Sequence, residues 1–179
     1  MAKTLRSIGL VYWTLGDYAV SIDYYVQSKD IAVEVGDREL ETKCLRSMAY
    51  SYFNQGQFAT STQLVKESLQ ISEEINDDFG VAWCINALGV TYSRQGNEEK
   101  ALEYFIRGLE MNEEAKDTIS ISFSLRNIGS SLLEMGDDEK ALEYFERCLV
   151  LDKAMNEKRS LSFTLMAMGY ISQNQGNFE

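Results

Sequence analysis

Histidine and proline are both absent from this chain of 179 residues. Histidine is the commonest general base, a common metal ligand and the proton carrier of the Ser-His-Asp triad, so its absence removes the usual routes to catalysis. The sequence also has no Ca²⁺-loop spacing and no glycine-rich phosphate loop. We therefore expect a chain that is not an enzyme, with no catalytic residue, no metal site and no cofactor.

Cysteine is scarce, and long apolar runs and a surplus of positive charge are missing. Cys44, Cys84 and Cys148 form an odd set without CxxC spacing, which argues against a disulfide framework and a zinc site. No run of about eighteen apolar residues exists, so we expect no membrane partner. The net charge of -11 argues against a nucleic-acid partner. The cysteine usage and the lack of an apolar leader segment predict a cytoplasmic protein.

The sequence does contain an internal repeat with a period of forty residues. Glycine recurs at positions 16, 56, 96, 136 and 176. The letters EKALEYF occur at residues 99–105 and again at 139–145. A second column of small residues holds Gly9, Ala49, Gly89, Gly129 and Gly169. Self-similarity at a fixed period of this length indicates a repeat architecture.

Each repeat also has a helical period. Ile85, Leu88, Gly89 and Tyr92 follow the i, i+3, i+4, i+7 spacing of one helix face. A glycine and then Asp or Asn between two such runs is typical of a helix end followed by a new N-cap. Each repeat is therefore predicted to be a helix, a turn and a second helix. First helices are predicted near residues 1–15, 38–55, 78–95, 118–135 and 158–175, and second helices near 17–35, 57–75, 97–115 and 137–155.

Small residues are predicted at the positions where the two helices of a repeat approach each other. On the first helices they form the Gly9 column, and on the second helices they are Ser21, Ser61, Ala101 and Ala141. We expect large aromatic side chains to fill the space beside them, namely Tyr25, Phe105 and Phe145. A larger residue in either small column would push the helices apart at a cost of about 1–3 kcal/mol.

These columns resemble the tetratricopeptide repeat (TPR), whose pattern is W-x2-L-G-x2-Y followed by A-x3-F. Leu5, Gly9 and Tyr12 fit the first half, with leucine in place of tryptophan, and Ala101 with Phe105 fits the second half. The period is forty rather than about 34 residues and the usual final proline is missing. Both departures resemble the long-repeat members of the family, such as kinesin light chains, bacterial Rap regulators and the TPR sensor regions of bacterial signalling proteins.

The resemblance implies an all-α fold, a right-handed TPR superhelix (an α-solenoid) of about four and a half repeats. We expect a single TPR domain over residues 1–179, with repeats at about 1–36, 37–76, 77–116 and 117–156 and a partial repeat at 157–179. The incomplete last repeat predicts that the chain is part of a longer protein. The final helix, residues 158–175, is largely apolar, which predicts a homodimer formed through it.

In this family the first helices line a concave groove, and the resemblance places that groove on particular columns. It implies an interaction scaffold that binds a peptide or protein segment there, as the sensory or recruiting part of a larger signalling protein. The columns carry six bases and aromatic side chains against one acid, Glu134, which predicts an acidic partner segment. The candidate groove residues are Lys3, Arg6, Leu10, Trp13, Lys43, Arg46, Tyr50, Phe53, Asn54, Trp83, Asn86, Val90, Arg94, Phe123, Arg126, Ser130 and Phe163.

Other interpretations of the same residues stay open at this point. The array could be a structural or oligomerisation module whose groove binds no separate ligand. The groove arginines could pair with acids on neighbouring helices, and Trp83, Phe123 and Phe163 could pack against neighbouring repeats. The three cysteines occupy columns of small residues, so we interpret them as packing residues. Acidic pairs such as Asp137 and Asp138 are interpreted as helix-capping turns.

Overall fold

The computed structural model describes residues 1–174 and 176. Over these residues it contains nine α-helices and no strand, and every described helix end lies within one residue of its predicted position. Residues 175 and 177–179, which belong to the predicted last helix and partial repeat, lie outside the described residues. The helices are α1 (Ala2–Thr14), α2 (Tyr18–Glu34), α3 (Arg38–Asn54), α4 (Phe58–Glu74), α5 (Asp78–Arg94), α6 (Glu98–Ala115), α7 (Thr118–Glu134), α8 (Asp138–Met155) and α9 (Lys158–Asn174).

The connections between the helices share one backbone geometry. A residue with φ between 55° and 81° occurs at positions 16, 36, 56, 76, 96, 116, 136, 156 and 176, which is every twenty residues. Asn76, Lys116 and Asn156 adopt this left-handed conformation with a side chain, whereas the others are glycine. Among the described residues, the residue after seven of these positions donates its N–H to a carbonyl five residues earlier, as from Asp17 to Tyr12 at 3.0 Å, which closes the helix end. The backbone therefore repeats every twenty residues, although the sequence repeats every forty.

For α2 to α8, the residue that follows a left-handed position is the N-cap of the next helix. Asp37 shows the pattern, because its Oδ1 accepts a hydrogen bond of 3.0 Å from the backbone N–H of Leu40. Caps of this kind stabilise a helix by about 1 kcal/mol each. Asp77 and Asp137 form equivalent caps, so the interpretation of the acidic pairs as capping turns is confirmed. The side-chain caps are formed by Asp17, Asp37, Asp77, Asn97, Asp117 and Asp137.

The chain divides into two compact units, unit 1 at residues 1–95 and unit 2 at residues 96–179. In unit 1, which holds α1 to α5, each helix packs on the next, and α3 also contacts both α1 and α5. In unit 2, α6 to α9 pack in the same sequential manner. The first helices of successive repeats are therefore neighbours in unit 1, which brings the predicted groove columns of α1, α3 and α5 together. The single domain over the whole chain stays a prediction.

Within each repeat the core is built around the small columns. A Cβ atom added to Gly9 would lie 2.6 Å from Cε1 of Tyr25, and one added to Gly129 would lie 2.8 Å from Cε1 of Phe145. Tyr25 and Phe145 are fully buried, as is Ala141 in the small column of α8. The predicted close approach of paired helices, with an aromatic ring against each glycine, is confirmed in these two repeats.

Candidate functional site

Two cavities lie on the face of unit 1 where α1, α3 and α5 are neighbours. Their volumes are about 390 Å³ and about 270 Å³. Arg6 and Lys43 line both, so the two cavities form parts of one groove. The larger cavity is further lined by Arg46, Ser47, Tyr50, Phe79 and Trp83. The smaller cavity is further lined by Lys3, Ser7, Asp37, Glu39 and Leu40.

Arg46 is the most unusual side chain of this groove. It is only 7% exposed. Its guanidinium carbon lies 5.6 Å from the ring centre of Phe79 and 5.8 Å from that of Trp83, so the cation is held by two aromatic rings. Its Nη1 atom is buried and has no hydrogen-bond partner among the described residues. Burial of a cation without a counter-charge is costly, so this guanidinium is poised to accept an anion.

The two other bases of the larger cavity differ in their partners. The Nζ atom of Lys43 forms an ion pair with the Glu39 carboxylate one helical turn earlier. Arg6 is half-buried, and its Nε atom has no hydrogen-bond partner in the described part of the chain. The smaller cavity also contains Asp37. The expected count of six groove bases against one acid was therefore wrong, because it left out two carboxylates near the start of α3.

Aromatic side chains extend from the larger cavity along α1 and α3. The ring centres of Trp13 and Tyr50 are 5.1 Å apart, and those of Tyr50 and Phe53 are 6.4 Å apart in stacked orientation. Tyr50 remains 47% exposed, so this apolar row is open to solvent. The Nε1 donor of Trp13 is buried and has no partner among the described residues. The groove thus places an exposed aromatic row beside a cluster of hydrogen-bond donors.

The remaining predicted groove residues of unit 1 lie outside both cavities. Leu10, Asn54 and Arg94 are exposed, and Asn86 and Val90 are half-buried. The amide nitrogen of Asn54 donates to a backbone carbonyl of its own helix at 2.7 Å, which occupies it locally. The part of the predicted site that the structure brings together in unit 1 is therefore its basic and aromatic portion on α1, α3 and the first half of α5.

Unit 2 contains a second arginine that packs on aromatic rings. The guanidinium carbon of Arg126 lies 5.5 Å from the ring centre of Phe123 and 5.6 Å from that of Phe163. Its Nη1 donates a hydrogen bond of 2.7 Å to the Ser160 hydroxyl, and its carbonyl accepts one of 3.0 Å from Ser130. Arg126 therefore has a polar partner within the chain, whereas the buried Nη1 of Arg46 has none among the described residues.

Phe79 is a site residue that the sequence analysis missed. Phe79 lies in the first turn of α5, inside the predicted helix 78–95 but outside the columns that were assigned to the groove. It is 74% exposed, which is unusual for a phenylalanine. The available signal was its spacing of four residues from Trp83, which places both rings on one helix face.

The cysteines are buried packing residues, as predicted. Burial raises the pKa of the Cys84 thiol to about 11 and also raises the pKa of Cys44 and Cys148. These thiols therefore stay protonated at neutral pH, and a protonated thiol is a poor nucleophile.

A buried polar cluster connects α7, α8 and α9 within unit 2. The carboxylate of Asp152 is fully buried and accepts hydrogen bonds from the hydroxyls of Ser122 at 2.5 Å and Thr164 at 3.2 Å. The Cys148 thiol donates to the same carboxylate at 3.5 Å. No group of three or more potential metal-ligating side chains occurs among the described residues. No helix in the described part of the chain is long and apolar enough to cross a membrane.

Two family models with the description tetratricopeptide repeat match the sequence, one at residues 43–114 and the other at residues 4–39 and 124–159. No curated protein matches the sequence. Among solved structures, the apo form of RapI is 19% identical with a TM-score of 0.89, and the match covers 98% of this chain and 66% of RapI. A signal transduction ATPase with numerous domains (STAND) and a tetratricopeptide repeat sensor, from Pyrococcus horikoshii, is 18% identical with a TM-score of 0.85. That match covers 97% of this chain and 26% of the ATPase.

A third similar structure is a Rap protein complexed with Competence and Sporulation Factor. It is 18% identical with a TM-score of 0.76, and the match covers 97% of this chain and 48% of the Rap chain. The chain thus spans less than two thirds of RapI and about half or less of the other two proteins. At such identities the structural likeness shows the fold alone, whereas the two family models together match most of the sequence. This chain belongs to the tetratricopeptide repeat family.

Proposed function

We propose that unit 1 binds an acidic segment of a partner protein or peptide in the groove formed by α1, α3 and α5. The tetratricopeptide fold is a scaffold for protein interactions, and stacked repeats present extended binding surfaces. One similar structure holds Competence and Sporulation Factor, and another belongs to a signal transduction ATPase whose repeats are described as a sensor. These likenesses support a role as the sensory or recruiting part of a larger signalling protein.

The observation that carries this proposal is the buried Nη1 atom of Arg46, which has no hydrogen-bond partner among residues 1–174 and 176. Transfer of an ionised side chain out of water costs several kcal/mol unless other groups compensate it. The two aromatic rings offset about 0.5–2 kcal/mol of that cost. A carboxylate or similar anion from a partner would complete the compensation through a charge-assisted hydrogen bond, roughly twice as strong as a neutral one.

The aromatic row next to the cavity supports a segment rather than a single ion as the ligand. Tyr50 lines the larger cavity, and its ring also contacts that of Trp13 and stacks on that of Phe53. Aromatic side chains of this kind often anchor apolar groups of a partner at interaction surfaces. An acidic residue seated at Arg46 would place the neighbouring residues of the same segment along this row.

The test is a selection of displayed random peptides on the wild-type protein. We expect the selected peptides to be enriched in Asp and Glu. Replacement of Arg46 by Gln should weaken their binding, measured by fluorescence anisotropy, by about tenfold or more, the loss of at least one charge-assisted hydrogen bond. The matched control is Lys29→Gln, which removes the same charge from α2, outside both cavities. Selected peptides without acidic residues, or equal binding by the two variants, would contradict the proposal.

A further variant, Lys43→Gln, separates loss of binding from loss of folding. Lys43 is half-buried and lines both cavities, so Lys43→Gln should weaken peptide binding without disturbing the core. Far-ultraviolet circular dichroism and urea unfolding of each variant establish whether its helices are intact. If Lys43→Gln folds as the wild type does and binds the selected peptides equally well, the groove is not the binding site.

The second candidate function is assembly through α9. Met166 is 73% exposed, Tyr170 55% and Leu165 49%, so this helix exposes several large apolar side chains. Exposed apolar patches of this kind mark association surfaces in many proteins. We propose a homodimer formed through this face as the alternative to partner binding in unit 1.

A further inference from the structure

We propose that the anion recognised in the larger cavity is a phosphate monoester carried on a side chain of the partner segment. The inference rests on the proposed function of unit 1 and specifies its ligand. It follows from the charge of the cavity, the number of free donors and the rigidity of Arg46.

The charge of the larger cavity suits a dianion better than a single carboxylate. Arg6, Lys43 and Arg46 line it, and no acidic side chain does. Glu39 in the adjoining cavity is paired with Lys43 and neutralises one of the three charges. About two positive charges remain, whereas a carboxylate supplies one negative charge and a phosphate monoester supplies about 1.5–2 at neutral pH.

The donors of the cavity also match a phosphate group. Arg46 offers the buried Nη1, Arg6 has an unpartnered Nε, and Lys43 has further N–H groups beyond the one on Glu39. A phosphate monoester presents three strong acceptor oxygens, so each of the three side chains can bind one. A carboxylate has two oxygens, so the N–H groups of Lys43 that Glu39 does not bind would be left without an acceptor if Arg6 and Arg46 each bound one oxygen.

Arg46 is already held in place before a ligand arrives. The rings of Phe79 and Trp83 lie on the guanidinium, so little side-chain entropy is lost when the cation binds. Arginine's planar fork fits phosphate oxygens in a bidentate manner, and lysine does not. Tyr50 and Trp83 also supply an apolar wall for the carbon atoms that carry the phosphate.

The test uses three small probes of defined charge. Phenyl phosphate carries a ring and a phosphate monoester, phenylacetate a ring and a carboxylate, and inorganic phosphate only the anion. The chain has two tryptophans, so a Trp13→Phe background makes the fluorescence report on Trp83 alone. At pH 7 and physiological salt we expect phenyl phosphate to bind at least about tenfold tighter than phenylacetate and inorganic phosphate to compete with it.

The pH dependence of binding gives an independent criterion, because the chain contains no histidine. The charged side chains that line the two adjoining cavities are Lys3, Arg6, Asp37, Glu39, Lys43 and Arg46, and none of them is a histidine, the side chain that ordinarily changes charge in this pH range. The second ionisation of a phosphate monoester has a pKa near 6, so its dianion fraction rises about fourfold between pH 5.5 and 7.0. Phenyl phosphate affinity should rise by the same factor, and phenylacetate affinity should stay constant.

Variants assign the binding to the cavity. Arg46→Gln should abolish phenyl phosphate binding, Arg46→Lys should weaken it at least about fivefold through loss of the fork, and Lys29→Gln should leave it unchanged. Equal binding of phenyl phosphate and phenylacetate without pH dependence would overturn the phosphate inference and leave the acidic-segment function standing. Absence of phenyl phosphate binding, or its failure to compete with inorganic phosphate, would also overturn the inference. The peptide selection decides the broader function separately.

Discussion

Replacement of Gly129 by alanine should destabilise the protein, whereas the same replacement at Gly169 should stabilise it. Both glycines occupy the same column of the repeat and the interior of a first helix, α7 or α9. Alanine has a helix propensity about 1 kcal/mol more favourable than glycine, and this gain applies to both positions. The two positions differ in what the added methyl group meets.

At Gly129 the new Cβ would lie 2.8 Å from Cε1 of Phe145 and 3.0 Å from its Cδ1 and Cζ atoms. Carbon atoms in favourable contact are about 3.5–4.0 Å apart, so the ring would have to retreat by about 0.5–1 Å. Phe145 is fully buried, so the overpacking cost is about 1–3 kcal/mol. At Gly169 no atom of the described residues lies within 4 Å of the new Cβ, and the helix-propensity gain stands alone.

Urea unfolding followed by circular dichroism measures both variants. We expect the unfolding free energy of Gly129→Ala to be about 1–3 kcal/mol lower than that of Gly169→Ala, with unchanged m-values. A Phe145→Leu background should reduce the cost of Gly129→Ala, because the smaller side chain leaves room for the methyl group. If alanine stabilises the protein equally at 129 and 169, the packing of glycine against the aromatic ring is not what holds this column small.

Two further predictions concern unit 2. Asp152→Ala should lower the unfolding free energy by about 1–3 kcal/mol, since it leaves the hydroxyls of Ser122 and Thr164 buried without their acceptor. Asp152→Asn should lower the unfolding free energy less, because asparagine already occupies the equivalent position 112. Equal urea midpoints for the wild type and Asp152→Ala would contradict the role of Asp152 as a buried acceptor. If the α9 face forms a dimer, sedimentation velocity should show association that grows with protein concentration. Met166→Glu should abolish this association. A wild-type protein that is monomeric at every concentration would exclude the dimer.

The helices could be predicted closely because their ends depend on local chemistry. A left-handed residue followed by Asp or Asn specifies a helix end and the next cap without reference to the rest of the chain. The columns of small residues could also be predicted from the sequence. Gly129 and Phe145 lie at repeated positions, where the small residue of one helix complements the large residue of the other. Packing between the two helices of a repeat is thus encoded in the forty-residue pattern itself.

The site was less predictable because it depends on side-chain partners rather than on columns. Arg46 and Arg126 occupy the same column and both lie on aromatic rings, yet only Arg126 has a nearby serine hydroxyl to bind. Nothing in the column distinguishes them, because the difference arises from which residue of the following helix reaches the guanidinium. Glu39 was missed for a similar reason, since it lies outside the groove columns but reaches Lys43 along α3.

The twenty-residue backbone period bears on how such a chain can change in length. The chain can gain or lose a forty-residue segment that runs from one left-handed residue to the second one after it without disturbing any turn or cap. First and second helices then still alternate along the chain. Loss of twenty residues would preserve the turns equally well, but it would place two helices of the same type in one pair. A pair of first helices would set one glycine column against another, with no aromatic ring to fill the space between them, and a pair of second helices would set their aromatic residues against each other. The geometry of the turns would therefore allow a single helix to be gained or lost. The complementary side chains of the core restrict such changes to pairs of helices.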